Sequence, residues 1–178
     1  MRKFWLFGLI ISSASMVLGC NDNLKDPAKE EAYTGPIIEN KDALTLFSDS
    51  ARLQIKLTAP VQQEFENGDG VFPDGLYLEF YGEPGQLTTT IKANYGKQDR
   101  NKDVYMVRGN VIVSNIQKKE TLKTEELFWD KSKAQIYTDK FVTVVTPEEV
   151  ITGEGLRAKQ DFSEYSLKRV TGNFSIKE

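Results

Sequence analysis

Cys20 is the only cysteine in the 178 residues, and it ends an apolar leader as Val17-Leu18-Gly19-Cys20. Its thiol is the strongest potential nucleophile in the chain. Arg2 and Lys3 give a positive start, residues 4–18 an apolar segment, and the small Gly19 leaves room for a peptidase. That pattern fits a secretory leader cut beside a lone thiol. A membrane-spanning helix fits less well. An apolar stretch of about 15 residues, broken by Gly8, Ser12, Ser13 and Ser15, falls short of the roughly 20 needed to cross a bilayer.

This leader resembles a bacterial lipoprotein signal, which implies that the Cys20 thiol is acylated, with a group such as palmitate, and that Cys20 becomes the new, lipid-anchored N-terminus after loss of residues 1–19. Other chemistry is narrowed by what the chain lacks. It has no histidine, which removes imidazole-based triads and histidine-ligated zinc. A lone cysteine excludes an intramolecular disulfide, so packing alone must hold the domain in an oxidising compartment. A metal site would need carboxylates only. Glu64 and Asp69 are the pair to weigh for a carboxylate-dependent hydrolase, but acidic residues are common on turns and nothing in their setting distinguishes them. The chain therefore reads as a non-enzyme without a cofactor. Lys and Arg number 23 against 26 Asp and Glu, with the signs interspersed, so there is no basic footprint for nucleic acid.

The mature chain is long enough for one domain with a true core. Residues 20–36 read as a lipid-anchored tether, because they are rich in Asp, Lys and Glu, contain Pro27 and lack apolar periodicity. At 5 to 6 Å times the square root of length, such a segment holds the domain on the order of 20 Å from its anchor. Residues 37–178 then form a β domain. Ala51, Leu53, Ile55 and Leu57 alternate with Arg52, Gln54 and Lys56, as Leu76, Leu78 and Phe80 alternate with Tyr77, Glu79 and Tyr81. That period of two places apolar and polar rows on opposite faces. Tyr105, Val107, Val111 and Val113 share a parity interrupted at Gly109, which predicts a bulge there. Turn signals at residues 67–70, 73–75, 82–85 and 115–120 bracket the runs. About ten to twelve strands fit between them. The exception is residues 60–67, where Val61 and Phe65 stand four apart and predict one turn of helix.

A weak repeat runs through the domain. Ile91-Lys92-Ala93, Leu127-Phe128-Trp129 and Leu156-Arg157-Ala158 lead respectively into Gly109-Asn110-Val111, Asp139-Lys140-Phe141 and Gly172-Asn173-Phe174. Such a series predicts stacked hairpins that lean on one another. The ordered runs at residues 105–111, 122–130 and 153–158 together resemble the LptC family, membrane-anchored periplasmic components of the lipopolysaccharide export machine. The likeness covers residues 44–176. It implies an all-β fold, a single antiparallel β-jelly roll open as a V, with an apolar groove for lipopolysaccharide acyl chains. It also implies receipt from an inner-membrane ABC transporter complex and transfer, edge strand to edge strand, to a periplasmic bridge protein of like fold. One departure is the anchor, since the resembling proteins use an N-terminal helix where this chain offers Cys20. The implied address is the periplasmic face of the inner membrane, with the outer membrane as the alternative.

By parity the groove residues are Leu53, Ile55, Leu57, Leu78, Phe80, Ile91, Val111, Val113, Leu127, Trp129, Phe141, Leu156, Phe174 and Ile176, joined by Ala51 and Leu76. The same residues would equally fill the core of a closed sandwich. The strands expected at the open edges lie near residues 44–49 and 170–176. The competing reading is a lipoprotein β-sandwich that binds carbohydrate or protein, with Tyr77, Tyr81, Tyr95, Phe162 and Tyr165 as stacking platforms.

Overall fold

The computed structural model describes residues 33–172. Cys20, the leader, most of the tether, Phe174 and Ile176 lie outside the described residues. Gly35–Glu178 forms one compact unit. Its described part contains twelve strands: β1 (Ile38–Asp49), β2 (Arg52–Glu64), β3 (Gly70–Phe72), β4 (Leu76–Tyr81), β5 (Leu87–Ala93), β6 (Tyr95–Asp99), β7 (Val104–Asn115), β8 (Glu120–Asp130), β9 (Gln135–Val145), β10 (Val150–Lys159), β11 (Tyr165–Leu167) and β12 (Thr171–Gly172). Every neighbouring pair is antiparallel.

The expected helical turn at residues 60–67 is instead the end of β2 and a tight turn, in which the Gly68 amide donates to the Phe65 carbonyl. Val61 pairs with Lys41, and Gln63 pairs with both Glu39 and Val71. Pairing on two sides outweighs a single i, i+4 apolar contact.

A line of irregularities crosses the long strands at mid-length. Asp42 has a φ of 51° and stands opposite Pro60, where the β1–β2 ladder skips a partner pair. Gly109 (77°) and Asn110 (49°) interrupt β7 between Arg108 and Val111, as the spacing of its valines predicts. β8 shifts register between Thr124 and Phe128, and β10 between Glu154 and Leu156, around Gly155 at 87°. Left-handed residues let a strand fold over without leaving its ladder.

That line divides the sheet into two facing leaves. In leaf A the early half of β7 pairs with β6, the late half of β2 with β3, and the late half of β10 with β11. In leaf B the late half of β7 pairs with β5, the early half of β2 with β4, and the early half of β10 with β12. The result is an antiparallel β-jelly roll. Its interior holds Leu57, Ile91, Val111, Val113, Leu127, Ile136, Val142, Val144 and Leu156, each no more than 2% exposed. Ile55, Leu76, Leu78, Phe80 and Trp129 join them. Along most of its length the space between the leaves is therefore filled by side chains.

Two inner-face expectations are corrected. Phe141 points outward and is 60% exposed, because the inward row of β9 is Ile136, Thr138, Val142 and Val144. Matching Asp139-Lys140-Phe141 to Gly109-Asn110-Val111 displaces the register by one, and one residue exchanges the faces of a strand. Ala51 stands in the β1–β2 turn with a φ of 60° and is exposed. Leu53, beside it at the strand end, is only half-buried.

Candidate functional site

The leaves part at one end, and there a cleft of about 770 Å³ opens. Its apolar wall is built by Phe47 on β1, Ile55 on β2, Phe80 on β4 and Trp129 on β8. Strand parity brings the last three inward, so the cleft is the uncovered end of the core. Trp129 is fixed on three sides. Its ring stacks on Tyr105 at 5.0 Å, meets the edge of Phe80 at 5.7 Å, and its indole N–H donates to Gln160 Oε1 at 3.3 Å. Offset and edge-on rings of this kind hold one another in place. Burial pushes the Tyr105 phenol up to about 12, with Asp103 adding to it, so the packed ring stays neutral.

The rim is polar. Lys131 lies over the Phe47 ring, its ammonium 5.1 Å from the centroid, while Asp49, Gln54, Gln160 and Asp161 complete the margin. Arg52, at the start of β2, and Glu83, in the nearby β4–β5 turn, form an ion pair. Below the rim, Asp130 is held down to about 2 by hydrogen bonds from the Lys133 ammonium and the Ser132 hydroxyl, which organise the β8–β9 turn. A pocket of this size with apolar walls and a polar margin suits an amphiphile inserted tail first.

Beside the cleft the leaves are closed by Phe162, on the loop between β10 and β11. It is only 3% exposed, and a pocket of about 20 Å³ remains beneath it, lined by Val113, Leu122, Val144 and Tyr165 among others. A second cleft, of about 580 Å³, lies on the outside of the fold where β2 leaves β4, among Leu44, Thr58, Pro60, Tyr77 and Lys92.

Of the residues expected in a groove, Ile55, Phe80 and Trp129 meet in the open cleft. Leu57, Leu78, Ile91, Val111, Val113, Leu127 and Leu156 lie deeper, in the packed core. Phe47 and Lys131 were missed, since both are at strand ends or turns where period two gives no signal. The aromatic residues considered as a stacking platform are dispersed: Phe162 is in the core, and Tyr95 lies in leaf A under the Arg108 guanidinium at 4.3 Å. Tyr77 is on the outer face of leaf B. Glu64 pairs with Arg100 at 3.7 Å and Asp69 with Lys97 at 3.2 Å, which makes them surface ion pairs. No cluster of potential metal-ligating side chains occurs among the described residues.

Both outer edges are unpaired among the described residues. β1 pairs only with β2, and β11 and β12 each pair only with β10. The first edge is longer than the sequence implied, starting at Ile38. Its side chains Leu44 and Leu46 are 59% and 55% exposed.

The family model described as lipopolysaccharide-assembly, LptC-related, matches residues 9–174. Among solved structures, the chain is similar to LptH from Pseudomonas aeruginosa, described as the LptA-homologous periplasmic component of the conserved lipopolysaccharide transport device. The superposition has a TM-score of 0.52 at 13% identity and covers 73% of this chain and 100% of that one. At that identity the likeness shows the fold. No curated protein matches the chain by sequence.

Proposed function

The chain belongs to the LptC-related family of lipopolysaccharide-assembly proteins, and from that premise we propose that it carries lipopolysaccharide by its acyl chains, which enter between the leaves beside Phe80 and Trp129. The family's role is periplasmic transport, and no catalytic step is assigned. In the finer reading Cys20 anchors the chain at the inner membrane, an ABC transporter complex delivers the lipid, and a bridge protein of like fold receives it. The observation that carries the proposal is the cleft itself, apolar inside, charged at the rim and continuous with the core.

Energetics favour direct transfer. Each methylene taken from water is worth about 0.8 kcal/mol, so a chain of about a dozen carbons contributes up to roughly 10 kcal/mol. Release through water would be very slow, whereas exchange between two apolar grooves is close to isoenergetic. The free edge of β1 supports pairing with a partner strand, and its exposed Leu44 and Leu46 would be covered by such a partner. The sequence has no Gly-x-x-x-x-Gly-Lys loop, so the energy is supplied by another protein.

Photo-crosslinking in cells tests the proposal. A photoreactive side chain at Phe80 is expected to label lipopolysaccharide, and one at the outward-facing Glu79 to leave it unlabelled. Equal labelling from both would refute entry between the leaves.

A further inference from the structure

Phe162 is a buried aromatic residue on a polar turn, with Asp161, Ser163 and Glu164 exposed around it. Its φ of 54° is in the left-handed region, which an L side chain adopts only under strain. The loop is tied to the two leaves in different ways. Toward leaf A it is held by backbone bonds: Gln160 N to Ala134 O at 3.0 Å, Phe162 N to Lys159 O at 2.9 Å and Lys159 N to Glu164 O at 3.0 Å. Toward leaf B only side chains reach its carbonyls. Thr89 Oγ1 donates to Asp161 O at 3.0 Å, Asn115 Nδ2 to Phe162 O at 3.4 Å and Lys118 Nζ to Ser163 O at 2.7 Å. The loop is thus hinged on leaf A and latched to leaf B.

Its position relates the two cavities. Gln160 and Asp161 form part of the wall of the open cleft, and the Phe162 ring fills the space over Val113, Leu122 and Val144 next to it. Swinging the loop outward would join that space to the cleft. The displaced ring would leave an apolar site, and water can replace the three latch bonds at the freed carbonyls.

We propose that Phe162 is a displaceable placeholder: its ring occupies a subsite over Val113, Leu122 and Val144 that the far part of a long acyl chain takes when residues 160–164 swing away from leaf B. This deepens the reading above and rests on it. A short chain is held by the open cleft alone, and a long one must evict Phe162. The loop therefore sets the chain length that binds without rearrangement.

The test uses the lipid-anchored chain from Cys20 onward in nanodiscs, in which Trp129 in the cleft wall is the only tryptophan. Quenching of its fluorescence is titrated with octanoic and hexadecanoic acids brominated at the terminal carbon. Phe162→Ala is expected to tighten hexadecanoic acid relative to octanoic acid by about tenfold. The latch variant Thr89→Val with Lys118→Met, which keeps the ring, is expected to shift the ratio in the same direction and carries the test if Phe162→Ala does not fold. Quenching by both acids with an unchanged ratio in the variants would overturn the placeholder and leave the cleft reading standing. Absence of quenching by either acid in every variant would overturn the cleft reading and the placeholder with it.

Discussion

Phe80 of leaf B and Trp129 of leaf A meet edge to face across the interior, with ring centroids 5.7 Å apart and planes at 76°. The pair stands where the filled core gives way to the open cleft, so it serves both as the last layer of packing and as the inner wall of the site. Because one contact carries both roles, a substitution of either ring acts on stability and binding together.

Trp129→Ala is expected to destabilise the domain by about 3–5 kcal/mol, and Phe80→Ala by a similar amount, as for other large buried aromatics. The double variant should lose about 0.5–1.5 kcal/mol less than the sum, which is the usual worth of an aromatic pair beyond burial. Urea unfolding of the four proteins measures this coupling. Strict additivity would mean that the rings do not support each other.

Gly109→Ala tests the bend. At a φ of 77° its added Cβ would lie 3.2 Å from Asn94 Cβ, and left-handed strain alone costs about 1–2 kcal/mol. A loss of that size is expected in chemical denaturation. A neutral result would mean that β7 does not need a left-handed residue to pass from one leaf to the other.

Phe141→Ser should change stability by less than about 0.5 kcal/mol, because exposed positions seldom cost more. Its neighbour Val142→Ala, fully buried, is expected to cost about 2 kcal/mol. The reverse order in thermal melts would return Phe141 to the inner face.

The position of Phe141 also marks where sequence reasoning stops. Strict alternation on β2, β4 and the late half of β7 made Ile55, Leu78, Phe80 and Val113 legible as an inner row, and Gly109 was legible as a bulge because the valines on either side keep their parity. β9 has no glycine at its bend to announce the frame, and an alignment to β7 slipped by one. Glu39, Asn40 and Lys41 hid the start of β1, since an edge strand exposed on both faces has no period to detect. Phe162 read from sequence as an exposed stacking residue, whereas it is 3% exposed and part of the core. An aromatic residue on a polar turn is buried here by a loop folding back between two leaves, a tertiary event with no local pattern.

Asp130 gives a pH dependence. Its carboxyl is depressed from the ordinary 3.8 to about 2 by bonds from Lys133 and Ser132, so the ionised form is favoured by folding. The contribution is complete above the ordinary value and fades as the pH falls from there through about 2. The melting temperature is therefore expected to drop across that window, and to drop less in Asp130→Asn, which has already lost the contribution at neutral pH. Parallel curves for the two proteins would show that Asp130 is not a source of acid sensitivity.

The central claim is that acyl chains lie between the leaves at the Phe80–Trp129 mouth. Isotope-filtered nuclear Overhauser spectra of the labelled chain with lipopolysaccharide measure that proximity directly. Contacts are expected from the Phe80 and Trp129 rings and the Ile55 methyls to acyl methylene protons, with none from Tyr77 or Phe141 on the outer face. Contacts at Tyr77 or Phe141 with silence at Phe80 and Trp129 would contradict the account.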